Sequence, residues 1–482
     1  VEGVVEAGAR PGTLAGLSAV VRIRPFRRLW LVLGLSALGD WLGLLATAAF
    51  ASAQVSGSTA KGLAFGSVIS VQLLPALILG PVAGVVADRF DRRTTMVIVD
   101  VARFALFASI PAAGLLLSRG AVVVAWATVA MFLVQAGALL WVPAKEAAVP
   151  NLLPRGALET ANQLTLVTTY GVTPVLAALT FAGMARLPRI GGRIDPTYVA
   201  LWFDALTFLA SALVVYFGIR EISGRSPEST GARRPGMLHE LVAGARFVAG
   251  TPLVRGLVVG VLGAFAGAGV VIGTAKFYAQ SLGGGNATFA ILFAALFAGF
   301  GVGIVAGPRV VGPLSRRRWF ALSIVLAGLS LAALAAAPRL NSAALGAFVV
   351  GAGAGMAFLS GITLLGGDVA DQVRGRVFAF VQTAVRATLM LAISAAGTLA
   401  GIGSSRRLRL GSLALDVSIA RVLLFVAGAC GVLIGVAALR QMDDRPGVPV
   451  LRDLWAALRR RPAPAPGPAP ATPRRRWGRL RR

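Results

Sequence analysis

The sequence predicts an all-α membrane protein: twelve transmembrane helices in two pseudo-symmetric six-helix bundles. Three observations carry this. The composition does not suit a water-soluble chain, twelve apolar windows have spanning length, and a long basic stretch divides them six and six. Of 482 residues, 56% are hydrophobic and only 14% charged, and the mean hydropathy is +0.78. A soluble chain is about a quarter charged. So little polar surface cannot cover a folded body of this size in water, which leaves the bilayer as solvent.

The same composition excludes several functions. With one cysteine, Cys430, and one histidine, His239, the chain forms no internal disulfide, no Cys/His metal cage and no iron–sulfur cluster. A Cys–His or Ser–His catalytic pair would have to use one of those two residues. An enzyme is therefore not expected, nor any metal or cofactor. The net charge of +28 is nearly all arginine, since lysine occurs only at Lys61, Lys145 and Lys276. In a soluble chain that excess would suggest nucleic acid. Here the arginines lie between and beyond apolar runs, where they set topology and meet anionic lipid. The Ala/Gly/Arg bias suggests a GC-rich bacterial source, and the polar start shows no cleavable signal pattern.

A spanning helix needs about 20 mostly apolar residues. The windows in the first half are 29–53, 64–87, 94–117, 121–144, 161–185 and 198–219. Those in the second half are 256–275, 287–308, 319–338, 343–367, 377–403 and 413–439. The expected organisation is a cytoplasmic segment 1–28, a first bundle 29–219, a linker 220–255, a second bundle 256–439 and a basic Pro/Ala/Arg-rich tail 440–482. A surface helix is expected in the linker from Met237 to Val248.

Basic residues in loops orient the spans. The side holding both termini receives Arg22, Arg24, Arg27, Arg28, Arg92, Arg93, Arg155, the linker arginines, Arg316, Arg317, Arg318, Arg374 and the tail. The other side holds fewer, among them Lys61, Arg119, Arg186 and Arg406. Both termini are therefore expected in the cytoplasm, across the plasma membrane. Trp30, Trp126, Trp202 and Trp319 fall at predicted helix ends, as headgroup anchors do. A shift of 225 residues places Leu29 on Val254 and Arg92-Arg93 on Arg317-Arg318. Duplicated halves with a site between them are a common transporter plan.

The stretch Gly80-Pro-Val-Ala-Gly84-Val-Val-Ala-Asp88-Arg89-Phe-Asp91-Arg92-Arg93 resembles the signature between helices 2 and 3 of the major facilitator superfamily. Asp91 stands where that family usually has glycine. Asp100 and Arg103, Phe203-Asp204 through Phe208, Asp371 through Phe378, and Pro150 through Pro154 followed by Ala161-Asn162 look like its enterobactin-exporter and multidrug-efflux branch. The resemblance spans roughly residues 25–439. It implies alternating access, and a cytoplasmic gating motif of Gly80, Gly84, Asp88, Arg89, Arg92, Arg93 and Glu146. In that reading Asp88 caps a neighbouring helix, Arg92 and Arg93 pair with Glu146, and the cluster ties the halves together in one state. The other reading makes these arginines topology signals alone. Two departures stand out: Gly171-Val-Thr-Pro174 keeps only part of the antiporter pattern of helix 5, and Phe132 through Gly137 lacks the helix 4 arginine. Proton exchange is thus implied by the branch.

Ionisable groups within a span cost several kcal/mol or more and mark function by default. Asp40 lies twelve residues beyond Arg28, about 18 Å along a helix. With Trp41 beside it, it reads as a proton or cation site with an aromatic wall, or as the partner of a buried arginine. Arg386 lies ten residues beyond Arg376, about 15 Å deep; its expected partner is Asp40 or an anionic substrate group. Gln72 and Gln135 join the expected transport cavity. Asp100 and Arg103, three apart, read as a structural charge pair. Asp204, Asp416 and Arg421 fall nearer the outer ends and read as structural, and Cys430 as a packing residue.

The tail offers a short basic helix over 449–461, then alternating prolines that form a stiff spacer, and a polybasic end suited to anionic lipid. The expected function is a monomeric secondary transporter, a proton-coupled antiporter exporting a drug-like, siderophore-like or lipid-like small molecule. The alternative is a transport-inactive anchor for a cytoplasmic partner or fused domain. Costly charges at depth favour the carrier, because an anchor has no use for them.

Overall fold

Inside a bilayer each backbone N–H and C=O must be satisfied within its own segment, so apolar windows fold as helices. The computed structural model describes residues 14–79, 91–153, 157–188, 195–219, 237–311, 314–368, 371–402, 406–410, 413–445, 447–450 and 452–454. The first half runs α1 (Leu14–Arg22), α2 (Arg24–Ala53), α3 (Ser58–Val71), α4 (Leu74–Ile78), α5 (Arg92–Leu116), α6 (Gly120–Leu152), α7 (Leu158–Val167), a π-helical turn (Thr168–Val172), α8 (Thr173–Met184) and α9 (Pro196–Gly218). The second runs α10 (Met237–Gly250), α11 (Pro252–Ser281), α12 (Asn286–Val311), α13 (Arg316–Ala335), α14 (Leu340–Asp368), α15 (Asp371–Ile402), β1 (Arg406–Leu410), β2 (Leu413–Val417) and α16 (Ile419–Met442).

Among the described residues, 11 helices are long and apolar enough to cross a membrane. They answer to eleven of the twelve predicted windows. The second window is split: α3 ends at Val71, and α4 begins with Pro75 near its start, where the missing N–H suits a first helical turn. The rest of that window lies outside the described residues. The twelfth is corrected at its start, because residues 406–417 form an antiparallel hairpin, pairing Arg406 with Val417 and Leu410 with Leu413. Alternation in Leu413-Ala-Leu-Asp-Val417 is a strand pattern that an apolar average over a long window conceals. The expected linker helix is present as α10.

Arg28 Nη1 donates to the Gly218 carbonyl at 2.6 Å, so the start of α2 and the end of α9 share one face, here called basal. The start of α13 and the end of α16 share it too, through Arg318 and Asp443. Within the first half α5 packs on α6 and α9, and α2 on α9. Within the second, α12 lies along α14 and α13 along α16. Small residues permit these approaches. At Gly303, Gly351 and Gly355 a Cβ would meet the backbone of the facing helix, that of Ala352, Leu296 and Phe300 respectively.

The two halves touch mainly on the opposite, apical side. Gly62 sits against the Gly397 carbonyl and Gly401, where a Cβ would collide. Ser394 donates to Ser70, 2.8 Å between hydroxyl oxygens, and Lys276 Nζ donates to the Ala49 carbonyl at 3.3 Å. The apical element α3 packs along α15, whereas the more basal α4 touches it little; α8 packs along α12, whereas α7 barely does. Among the described residues the two halves therefore touch less toward the basal face, where a cleft lies between them.

Three smaller expectations change. Cys430 is exposed on α16 rather than packed. Trp319 is buried, packed with Leu314 under Leu454. The tail is also not separate from its first residue. Arg318, with no exposed surface, donates to Asp443 at 2.8 Å, to Asp453 at 2.9 Å and to the carbonyls of Arg445 and Val448. Ser315 caps α13 and donates to Asp444 at 2.6 Å. The chain after α16 is thus folded back onto the base of the second half. The proline spacer and polybasic end lie outside the described residues.

Candidate functional site

The charged residues at depth in the first half form one cluster. Arg103, on α5 and 2% exposed, faces Asp40 of α2 at 3.6 Å. Its remaining contacts are Ser36 Oγ and the Val134 carbonyl, each at 3.4 Å, with its guanidinium over the Phe208 ring at 5.1 Å. The carboxylate within ion-pair distance of Arg103 is Asp40 rather than the expected Asp100, which stays within electrostatic reach of Arg103. Asp100 instead accepts from Ser211 at 2.6 Å and from Trp141 at 3.2 Å. One turn of spacing makes two residues neighbours on a helix, but the long guanidinium reaches across to another helix. Asp40 was also a candidate partner for Arg386; that role is filled by Arg103.

Asp204 of α9 belongs to this cluster, contrary to the expectation of a peripheral structural residue. It is fully buried, within electrostatic reach of Asp40 and Arg103. Neither of its carboxyl oxygens has a hydrogen-bond partner among the described residues. Gly43 makes the approach possible: an ideal Cβ there would lie 2.5 Å from Asp204 Oδ2 and 2.6 Å from Phe107. Three carboxyls thus share one guanidinium. Asp40, with 37% of its side chain exposed, is the accessible member, since Asp100 and Asp204 expose nothing. Arg421, by contrast, is structural as expected, donating to the carbonyls of Ala335 and Ala337 at 2.9 and 2.8 Å.

An aromatic band crosses the cleft beside Asp40. Trp41 stacks edge-on with Phe297 at 4.7 Å and Phe293 at 5.9 Å between centroids. The band continues from Phe297 to Phe300 at 6.0 Å, to Phe358 at 5.6 Å, and back to the first half at Tyr170, 6.1 Å further. Sequence reasoning found Trp41 and missed the rest. The signal was present, since Phe289, Phe293, Phe297 and Phe300 recur at helical spacing along α12, but an all-apolar helix hides which stripe faces a cleft.

Tyr170 stands in the π-helical turn, and Pro174 supplies a reason for that turn. Proline has no N–H to return to the Tyr170 carbonyl, so the α ladder is interrupted. Thr173 N–H reaches Thr168 instead, and the Thr169 carbonyl accepts from Trp41 Nε1 at 2.9 Å. Wide turns of this kind occur often at functional sites. Gly171 of the same turn meets Gly301 of α12 at backbone distance.

Gln72 and Gln135 are brought together, with 3.5 Å from Nε2 of Gln135 to Oε1 of Gln72. Arg386 of α15 and Glu146 of α6 are both within electrostatic reach of the Tyr170 hydroxyl. In the gating motif, Gly80, Gly84, Asp88 and Arg89 fall outside the described residues. Arg93 does not pair with Glu146 as expected. It donates to the carbonyls of Val215, at 3.4 Å, and Tyr216, a cation at the C-terminal end of α9. Asp91, at the family's glycine position, accepts from Thr94 N–H at 2.9 Å and caps α5.

No family model matches the chain. It is similar to two uncharacterized MFS-type transporters. YfiS of Bacillus subtilis is 25% identical over 393 residues, 76% of this chain and 84% of that protein. The other, from Mycobacterium tuberculosis, is 28% identical over 364 residues, 70% of this chain and 77% of that one. Among solved structures, a D-xylose–proton symporter matches with a TM-score of 0.68 at 14% identity, covering 88% of this chain and 99% of its own. The xylose transporter XylE from E. coli, in an inward-open conformation, matches with a TM-score of 0.62 at 14% identity over 91% and 99%. At such identities the likeness is one of fold, and the fold is that of the major facilitators, with 11 spanning helices among the described residues.

Proposed function

We propose, from the major facilitator fold that this chain carries, that it is a secondary active transporter which exports an amphipathic small molecule from the cytoplasm in exchange for protons. One observation supports the reading above others. Among the described residues, a cleft closed at its apical end and with few contacts across its basal end has an aromatic band across it and a buried charge cluster beside it. Alternating access needs a site reachable from one face at a time, and the apical contacts are small enough to part. If the basic basal face lies in the cytoplasm, the chain stands inward-open, with both termini inside the plasma membrane. The curated relatives being named MFS-type transporters adds to the case.

The cluster supplies the coupling. Three carboxyl groups against one guanidinium leave an excess of two acidic groups where uncompensated charge is costly. Protons are the ready counter-charge, taken up through Asp40 when the cleft faces one side and released when it faces the other. An inert anchor gains nothing from such a cluster. In the gating motif, Arg93 on the end of α9 holds α5 and α9 together as the rigid base, while Asp88 and Arg92 act between access states. The polybasic tail rests on anionic lipid.

Inverted membrane vesicles containing the protein test the reading. A panel of amphipathic compounds should include one that accumulates when a pH gradient is imposed and stops when it is collapsed. Accumulation indifferent to the gradient would remove the proton coupling, and no accumulation of any compound would remove the transporter reading.

A further inference from the structure

We infer that the cleft's ligand is an amphipathic monoanion, an organic carboxylate or phosphate ester whose headgroup sits on Arg386 and Tyr170 and whose apolar body lies along the aromatic band. This deepens the transporter reading and rests on it. Three other buried arginines of this chain are fully paired. Arg103 has Asp40, Ser36 and the Val134 carbonyl. Arg318 has two carboxylates and two carbonyls. Arg421 has two carbonyls and Ser281 Oγ at 3.2 Å. Each guanidinium donates to several groups.

Arg386 is different. It is half-buried, about 22 Å along α15 from its basal start at Asp371, and among the described residues no carboxylate or hydrogen-bond acceptor is paired with it. Its electrostatic neighbour is the Tyr170 hydroxyl. A guanidinium kept at that depth costs several kcal/mol, and a charge-assisted hydrogen bond to an anion offsets that cost. The protein leaves the anion to the ligand.

The surroundings narrow the class. Tyr170 offers a hydroxyl donor to the same headgroup and exposes 38% of its surface; its ring ends the aromatic band. From that headgroup position the band runs through Phe358, Phe300 and Phe297 to Trp41, in steps of 4.7 to 6.1 Å. Rings at that spacing hold an apolar or aromatic body. Acidic groups lie within reach of both ends: Glu146 acts electrostatically on Tyr170, and Asp40 adjoins Trp41 in sequence. A second negative charge on the ligand would meet one of them, which favours a single anionic group over a polyanion.

The full-length protein in nanodiscs, studied by titration calorimetry, tests this with four naphthyl probes: naphthylacetate, naphthyl phosphate, naphthylmethylammonium and naphthalenemethanol. At least one anion should bind about tenfold or more tightly than the ammonium and the alcohol, and which anion does so separates carboxylate from phosphate. Arg386→Gln should weaken the anion about tenfold or more and leave the alcohol unchanged, while Arg386→Lys retains part of the preference. Phe358→Ala should weaken all bound probes alike. Equal binding of the ammonium, unchanged anion affinity in a well-folded Arg386→Gln protein, or no binding of either anion would overturn the inference. Gradient-driven transport of the ammonium alone, in vesicles, would overturn it and leave the transporter reading standing.

Discussion

Arg103 of α5 and Asp40 of α2 face each other at 3.6 Å, the first sealed at 2% exposure and the second 37% exposed. The pair connects a dry interior to a wet surface. Behind Arg103 lie Asp100, held by Ser211 and Trp141, and the unpartnered carboxyl of Asp204. A change of charge at Asp40 is therefore felt by Arg103, Asp100 and Asp204.

Asp40→Asn is expected to abolish accumulation driven by a pH gradient while leaving substrate exchange in the absence of a gradient. Both are measured in the same vesicles. Full gradient-driven transport in the variant would reduce Asp40 to a packing residue and move the coupling to Asp100 or Asp204.

Arg103→Ala should be harsher, because it leaves three acidic groups without their cation. Removing one partner of a buried pair costs about 3–5 kcal/mol. The expected readout is a fall in the detergent-solubilised protein's melting temperature larger than that caused by Asp40→Asn. Equal melting temperatures would mean that Arg103 is already poorly compensated in the wild type.

Cysteines at positions 70 and 394 should lock the cleft. Their hydroxyls are 2.8 Å apart across the two halves, and the exposed Cys430 is first replaced by serine. Oxidation of the Ser70→Cys, Ser394→Cys protein should cross-link it and stop transport, and a reductant should restore both. Unimpeded transport in the cross-linked protein would show that the apical contact does not open during turnover.

The base of the second half should respond to Arg318. Arg318→Ala removes one of the two cations on Asp453, leaving this carboxylate, 2% exposed, with Arg445 at 3.0 Å, at a cost of up to about 3–5 kcal/mol. Proteolysis beyond Arg445 should then accelerate while the helices remain intact. The clamp also has a pH signature. Burial pushes the Asp443 carboxyl up, but hydrogen bonds from Arg318 and the Arg445 backbone, with the Arg318 charge, outweigh it and hold the group below its ordinary 3.8. A depressed carboxyl stabilises the fold above the unfolded value and loses that contribution as pH falls through the folded one. Tail protection should therefore be constant from neutral pH down to about pH 4 and fail below it. Protection that declines already near neutrality would point to another group.

Orientation is tested by reporters. A fusion at Ser226 should report cytoplasm and one at Gly192 the exterior. The reverse pattern would place the open cleft on the outside and reverse the direction of export.

The sequence by itself determined what local chemistry determines. Spanning length and the bilayer's demand for internal hydrogen bonding fixed eleven helices to within a few residues, and Asp40, Trp41 and Arg386 stood out because charge and indole at depth are costly or misplaced in lipid. What only the tertiary structure decided is which groups share a space. Arg103 reaches Asp40 on another helix rather than Asp100 on its own. Asp204 enters the cluster because Gly43 lets α9 close on α2. Phe297, Phe300 and Phe358 join Trp41 and Tyr170 because two halves far apart in sequence meet there, and Arg318 buries a tail that reads as exposed. Each depends on the relative placement of helices. A transmembrane helix that is apolar all round carries no stripe to announce its neighbours, so that placement is set by small-residue contacts and long side chains acting across the bundle.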